Sequence, residues 1–161
     1  MKHLKIGRDQ ALPLAPARVH VYAYAGVALL FLAVTIGAFT RAYGAGMGCG
    51  PDWPTCNGEI VPFTSDTATL LEYFHRVAAG LGFVLISYAA YLALKTPGDV
   101  SVRLWAMATV VVLMAQIILG AVVVWYHLNP PLSALHTTLA IVTVALATGM
   151  AVKLSQSSAR S

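Results

Sequence analysis

The chain has 161 residues, of which 58% are hydrophobic and only 10% charged. Soluble domains carry about 25% charged residues, and a mean hydropathy of +0.75 leaves too little polar surface to cover a domain of this size in water. The apolar excess also excludes disorder. The net charge of +4 does not indicate nucleic acid, because the Lys and Arg residues are scattered between apolar runs rather than gathered on one face. The chain belongs in a bilayer.

Residues 1–18 form a basic tail containing Lys2, Lys5, Arg8 and Arg18. The first apolar span, Val19 to Thr40, lies between Arg18 and Arg41 and has no charged residue. A loop follows from Arg41 to Thr69. The second span, Leu70 to Leu94, ends at Lys95 and confines Glu72, His75 and Arg76 to its first two turns. Thr96-Pro97-Gly98-Asp99 reads as a tight turn. The third span, Leu104 to Tyr126, follows Arg103. Asn129-Pro130-Pro131, within a short loop at 127–132, separates it from Ser133 to Val152, which ends at Lys153 before a tail at 154–161. Each span approaches or exceeds the ~20 residues needed to cross hydrocarbon. The length of the first span and the basic stretch before it argue against a cleaved signal peptide. The expectation is an all-α membrane protein, a four-helix transmembrane bundle over 19–153.

Basic residues set its orientation. Lys2, Lys5, Arg8, Arg18, Lys95, Arg103, Lys153 and Arg160 fall on one side if the termini lie together, and that side is predicted to be cytoplasmic. The opposite face carries Arg41, Arg76, Asp52, Glu59, Asp66 and Glu72. Tyr43, Trp53, Tyr73, Phe74, Trp125 and Tyr126 mark the outer boundary, and Tyr22 and Trp105 the inner one. The plasma membrane is the expected location, with loops 41–69 and 127–132 outside.

Both cysteines, Cys49 and Cys56, lie in the first outer loop. An oxidising exterior makes a Cys49–Cys56 disulfide the expected state, constraining the unfolded chain by roughly 2.5 kcal/mol. A structural staple is the simpler reading and a redox-active pair the sharper one. The spacing is not that of a catalytic CxxC, and two thiolates are too few for a zinc site.

His3 and His20 lie in or beside the tail, and His127 ends the third span with its ring at the interface. His75 and His136 differ, because both lie inside apolar spans. Their distances in sequence from Lys95 and Lys153 put both rings roughly 25–30 Å from the cytoplasmic edge. The second and fourth helices run in the same direction, so the two rings can face each other across the bundle. Ionisable groups inside a span are functional candidates, cofactor sites in bundles are built from facing helices, and neutral imidazoles suit a haem iron. Ala78, Ala79, Gly80 and Gly82 would leave room beside a macrocycle. The alternative is that each histidine only hydrogen-bonds a neighbour. Glu72, one turn before His75, is either a helix N-terminal carboxylate favoured by the dipole or an acid, base or charge stabiliser at the edge of whatever His75 ligates. Arg76 and Arg41 either pair with Glu72 and Asp66 or bind carboxylates such as haem propionates. Gln116, in mid-membrane, is expected to hydrogen-bond between helices. Leu71-Glu72-Tyr73-Phe74-His75 and Leu132-Ser133-Ala134-Leu135-His136 share Leu-x-x-x-His, a faint echo of hairpin duplication.

The run from Gly46 to Pro62, GMGCGPDWPTCNGEIVP, resembles the first external loop of the haem A synthase family. Glu72-Tyr73-Phe74-His75-Arg76 resembles that family's Glu-x-x-His-Arg, and Gln116 to Gly120 with Leu135-His136 resemble its third and fourth helices. The resemblance implies oxidation of the C8 methyl of haem O to a formyl group, giving haem A for terminal oxidases. The methyl would be hydroxylated in successive steps with oxygen from water, electrons would leave to an acceptor, and the diol would lose water. His75 and His136 match the pair assigned to the haem substrate, Glu72 the acid considered catalytic, and Cys49 and Cys56 the loop disulfide. The usual family chain has two four-helix halves, the second supplying histidines for a haem b cofactor. This chain corresponds to one half, and a homodimer with its two-fold axis along the membrane normal would recreate the whole. Haem O synthase is a further expected partner. The competing readings are a bis-histidine membrane cytochrome that passes electrons without modifying haem, and a haem-free thiol oxidoreductase, disfavoured by the single cysteine pair.

Overall fold

The computed structural model describes residues 18–63, 66–95 and 100–159. The tail residues Lys2, His3, Lys5 and Arg8, the turn at Thr96-Pro97-Gly98-Asp99, and Arg160 lie outside the described residues. Four helices account for most of the rest: α1 (Val19–Ala42), α2 (Thr67–Lys95), α3 (Val100–Trp125) and α4 (Pro130–Ala159). All four are long and apolar enough to cross a membrane. The predicted all-α bundle is therefore what the chain forms. α1 packs against α2 and α4, and α3 against α4 and α2, so the helices form a ring in which α2 and α4 are diagonal.

The helices overrun the predicted spans at local signals in the chain. α2 begins at Thr67 because Asp66 caps it, accepting from the Thr69 backbone N–H at 2.8 Å and from the Thr69 hydroxyl at 2.8 Å. His75 consequently lies in the third turn, deeper than a start at Leu70 implies. α4 begins at Pro130, whose missing N–H costs nothing in the first turn, and Asn129 reaches back to the Leu132 N–H at 3.4 Å. α1 ends in a Schellman motif: Ala45 N–H donates to Thr40 O and Gly44 N–H to Arg41 O, with Gly44 at φ +69°. α3 closes with the same pair of bonds, Leu128 N–H to Val123 O and His127 N–H to Val124 O. Here two residues are left-handed, His127 at φ +49° and Leu128 at φ +59°.

The interior is divided along its length. Away from the long loop the core is mainly apolar, built of small and branched aliphatic residues such as Ala23, Ile86 and Ala106 together with the unbranched Met150. The loop end instead contains Glu72, Thr40 and Ser133 as buried polar residues, with His75, Gln116 and His136 partly buried nearby. Large side chains such as Phe31, Phe39, Val111 and Ile141 are exposed, as expected of surfaces that meet lipid rather than water.

Small residues bring α1 and α2 together. Leu30 lies over Gly82, and Ile86 lies over Gly26, so each helix offers a glycine to the other's branched side chain. This corrects part of the expectation for the small-residue run on α2: the space at Gly82 is filled by Leu30, and Ala78 is buried, whereas Gly80 faces open space. A Cβ at Gly26 would lie 2.8 Å from Ile86 Cγ1 and 3.1 Å from the Ile86 backbone nitrogen. Gly26→Ala is expected to cost about 1–3 kcal/mol by overpacking, read as a lower unfolding temperature in detergent. Gly80→Ala should leave that temperature unchanged or raise it.

Candidate functional site

The long loop is compact because its own residues supply the turns. Asn57 (φ +53°) and Gly58 (φ +83°) form a two-residue hairpin turn, closed by paired bonds between Cys56 and Glu59; Asn-Gly is the sequence signal for that geometry. Cys49 and Cys56 are disulfide-bonded and are 0% and 2% exposed. Burial favours the staple over the redox-active reading, since thiol exchange needs access to the sulfur.

The loop is fastened to α2 at three places. Gly48 lies directly on the start of the helix, where a Cβ would fall 2.4 Å from the Ala68 carbonyl carbon. Its own carbonyl accepts from Asn57 Nδ2 at 3.1 Å and lies 2.8 Å from the Thr69 hydroxyl, whose single hydrogen it shares with Asp66. Glu72, 4% exposed, accepts the Cys49 backbone N–H on Oε2 at 2.9 Å and pairs through Oε1 with Arg76. Arg76 in turn donates to the carbonyls of Thr55 at 2.7 Å and Asp52 at 3.1 Å. Of the alternatives for Arg76, pairing with Glu72 is the one formed. The second hairpin contributes Trp125, edge-on to Trp53 with ring centroids 6.5 Å apart, and Leu128, whose Cδ1 would lie 2.9 Å from a Cβ on Gly46.

Beneath this loop lie the two histidines. The His75 ring packs onto Gly37 of α1, where a Cβ would sit 2.8 Å from Cε1 and 2.9 Å from Nδ1. Without that Cβ, Nδ1 reaches the Ala33 carbonyl at 2.8 Å. A carbonyl only accepts, so Nδ1 carries the hydrogen and Nε2 keeps a lone pair. The His136 ring packs onto Gly120 of α3, with Cε1 3.1 Å from the position of a Cβ. Its Nε2 lies 3.4 Å from Gln116 Nε2, the interhelical bond expected of Gln116. The two imidazoles stand on diagonal helices, α2 and α4. Arg41 donates to Thr137 Oγ1 at 3.4 Å, one residue beyond His136. The remaining described histidines lie apart from this pair, as expected: His127 is exposed, and His20 lies at the far end of α1.

Sequence reasoning missed Gly37 and the Ala33 carbonyl. A usable signal existed in the spacing, because Gly37 precedes the end of α1 by as many residues as Gly120 precedes the end of α3. The donor set fits a haem iron. One neutral nitrogen is preset with its lone pair unengaged, His136 Nδ1 and Gln116 Oε1 are buried without hydrogen-bond partners, and each ring lies in a notch that a Cβ would fill.

A membrane four-helix bundle with a disulfide-closed loop over a diagonal histidine pair defines a class of intramembrane imidazole sites. Residues 20–72 match the family model described as cytochrome oxidase assembly protein, COX15-CtaA. The chain is 30% identical over 117 residues to a protein named heme A synthase from an Exiguobacterium species, covering 72% of this chain and 39% of that protein. A heme A synthase from Bacillus cereus is 32% identical over the same share of this chain and 38% of its own length. A protoheme IX farnesyltransferase from Thermus thermophilus is 35% identical over 114 residues, covering 69% of this chain and 19% of that protein. No solved structure matches the chain. The chain is thus similar to haem A synthases over about 72% of its own residues, and it spans about two fifths of the length of those it matches.

The fastening of the loop makes two predictions. Glu72→Ala leaves the Arg76 charge without its counter-ion and the Cys49 N–H without a partner, a loss of about 3 kcal/mol for a broken buried pair. Faster amide exchange over residues 44–58 should report it, and Glu72→Gln, which still accepts the Cys49 N–H, should recover part of the protection. Asp66 predicts a pH effect. The Thr69 backbone N–H, followed by the Thr69 hydroxyl, holds its carboxyl below the ordinary value of 3.8. A lowered folded-state value means that this stabilisation is full above the ordinary value and is lost as pH falls through the lowered one. On acidification from about pH 6 to about pH 3, the wild type should lose more thermal stability than Asp66→Asn.

Proposed function

We propose that this chain acts on haem in the manner of a haem A synthase, oxidising the C8 methyl of haem O to a formyl group for cytochrome oxidase assembly. The observation that carries the reading is the His75–His136 pair beneath a loop fastened through Glu72. His75 and His136 would hold the haem iron, and Arg41 would meet a propionate; Arg76 would do so only by giving up its bonds to Glu72 and to the Thr55 and Asp52 carbonyls. When bound, haem supplies a redox-active iron. The chain's own part is to fix both imidazoles, exclude water with the loop, and hold a carboxylate within one turn of His75. Methyl to formyl is a four-electron oxidation in two hydroxylations, each taking its oxygen from water and passing two electrons to an external acceptor and two protons to the surroundings. Loss of water from the diol completes it. Glu72 would stabilise positive charge at the oxidised methyl or take up its proton.

The proposal extends to a haem b cofactor, a homodimer, the plasma membrane with the disulfide loop outside, and association with haem O synthase. The likeness to a protein named protoheme IX farnesyltransferase supports the last. One observation favours a second reading, a bis-histidine cytochrome that only transfers electrons. Both Glu72 oxygens are already engaged, by the Cys49 N–H and by Arg76, which is the arrangement of a structural carboxylate.

The test is to purify the chain in detergent, supply haem O with an electron acceptor, and separate the products by chromatography. Hydroxylated and formyl haems are expected. Conversion should be lost in Glu72→Gln with pigment retained, whereas His75→Ala and His136→Ala should lose the bound pigment. Haem bound but never converted would leave the cytochrome reading, and no bound haem would overturn both.

A further inference from the structure

Each histidine has the backbone carbonyl of the residue four before its glycine bearing on its ring, but only the first closes a hydrogen bond there. In the first hairpin, the residue four before the ring-packing Gly37 is Ala33, and its carbonyl fixes His75 through Nδ1 at 2.8 Å. In the second, the residue four before Gly120 is Gln116, and its side chain lies against the other nitrogen of His136, with 3.4 Å between Gln116 Nε2 and His136 Nε2. An amide NH2 only donates, so His136 Nε2 is the acceptor and its hydrogen is on Nδ1. Two buried polar atoms then lack partners: the donor His136 Nδ1 and the acceptor Gln116 Oε1. They are complementary, and they belong to the same pair of residues.

We propose that Gln116 is a positioning residue for His136, its carbonyl oxygen taking the Nδ1–H when Nε2 turns to bind a haem iron. This rests on the haem reading above and adds an asymmetry to it. His75 is preset, with Nε2 unengaged, whereas His136 exchanges one hydrogen bond for another as it becomes a ligand. The exchange satisfies both orphaned atoms, and a buried unpaired polar group is costly. It also gives His136 the same Nδ1–H···O=C support that Ala33 gives His75. Such partners fix ring orientation and raise ligand basicity, and their removal typically weakens metal binding about 10–100-fold.

The experiment uses the full chain in detergent, titrated with hemin and followed by visible spectrum, midpoint potential and carbon monoxide binding to the reduced form. Gln116→Leu keeps the bulk and removes the amide. It is expected to weaken hemin binding about 10–100-fold and to let carbon monoxide displace His136. Gln116→Glu restores an acceptor for Nδ1–H and should recover tight binding, with the potential shifted below that of the wild type because a stronger acceptor favours ferric iron. Circular dichroism and elution volume establish that each variant is folded, and Gln116→Glu serves alone if the leucine variant does not fold. If both folded variants, or Gln116→Glu alone in that case, match wild-type affinity, spectrum and potential, the positioning role is overturned while the haem reading stands. A wild type that binds no hemin, or binds it unchanged in His75→Ala and His136→Ala, overturns the haem reading and this inference together.

Discussion

Glu72 is a carboxylate taken out of water inside a helix that crosses the membrane, and the loop end of the protein is arranged around the need to satisfy it. A buried carboxylate without partners is costly enough to neutralise itself or unfold its surroundings. Here one oxygen receives a backbone N–H from the disulfide loop and the other the Arg76 guanidinium. Arg76 then places two of its remaining donors on two carbonyls of the same loop. Helix and loop therefore complete each other's hydrogen bonding. The disulfide between Cys49 and Cys56 brackets the segment that carries the Asp52 and Thr55 carbonyls, so the acceptors are presented on a short closed ring rather than on a free strand.

A second constraint repeats in both hairpins. Gly37 and Gly120 each leave a notch into which the histidine of the following helix packs, and each helix then closes with the same pair of Schellman bonds seven residues later. The repetition goes beyond the shared Leu-x-x-x-His and supports descent of the two hairpins from one unit. Their differences are as informative. The first closing residue is Gly44, which adopts positive φ freely, whereas in the second both His127 and Leu128 do so, each at a cost of order 1 kcal/mol. That conformation projects Leu128 toward Gly46, so the strained turn of the second hairpin seals against the loop of the first.

The architecture was legible in the sequence because it rests on signals that survive without tertiary context: apolar runs, the charges that interrupt them, and the Asn129-Pro130-Pro131 break between the third and fourth spans. Boundaries were less so. α2 starts before Leu70 because Asp66 caps through Thr69, a local bond that hydropathy does not weigh. The candidate residues Glu72, His75, Arg76, Gln116 and His136 were visible as polar groups inside apolar helices, where each must have a reason to be present. What they touch was not visible. The Ala33 carbonyl carries no side-chain signature, and Gly82, read as room for a ligand, is room for Leu30, because a small residue marks close approach without saying what approaches.

α2 carries Glu72, His75 and Arg76 within little more than one turn, so these groups move as one rigid body. Displacing the loop would break Cys49 N–H···Glu72 and the two Arg76 bonds, and any axial slip of α2 that followed would carry His75 along Gly37 and away from the Ala33 carbonyl. Gly37 tolerates little of this, since the ring already lies within van der Waals contact of the bare Cα face. The depth of the His75 nitrogen is thus fixed from two directions, by the loop above and by the α1 backbone beside it. His136 has no such bracket on its own helix: Arg41 reaches Thr137 from α1 by one long bond, and Gln116 meets the ring from α3. An intramembrane pair in which one ring is clamped and the other adjustable can accept a planar guest from the adjustable side without disturbing the loop that excludes water.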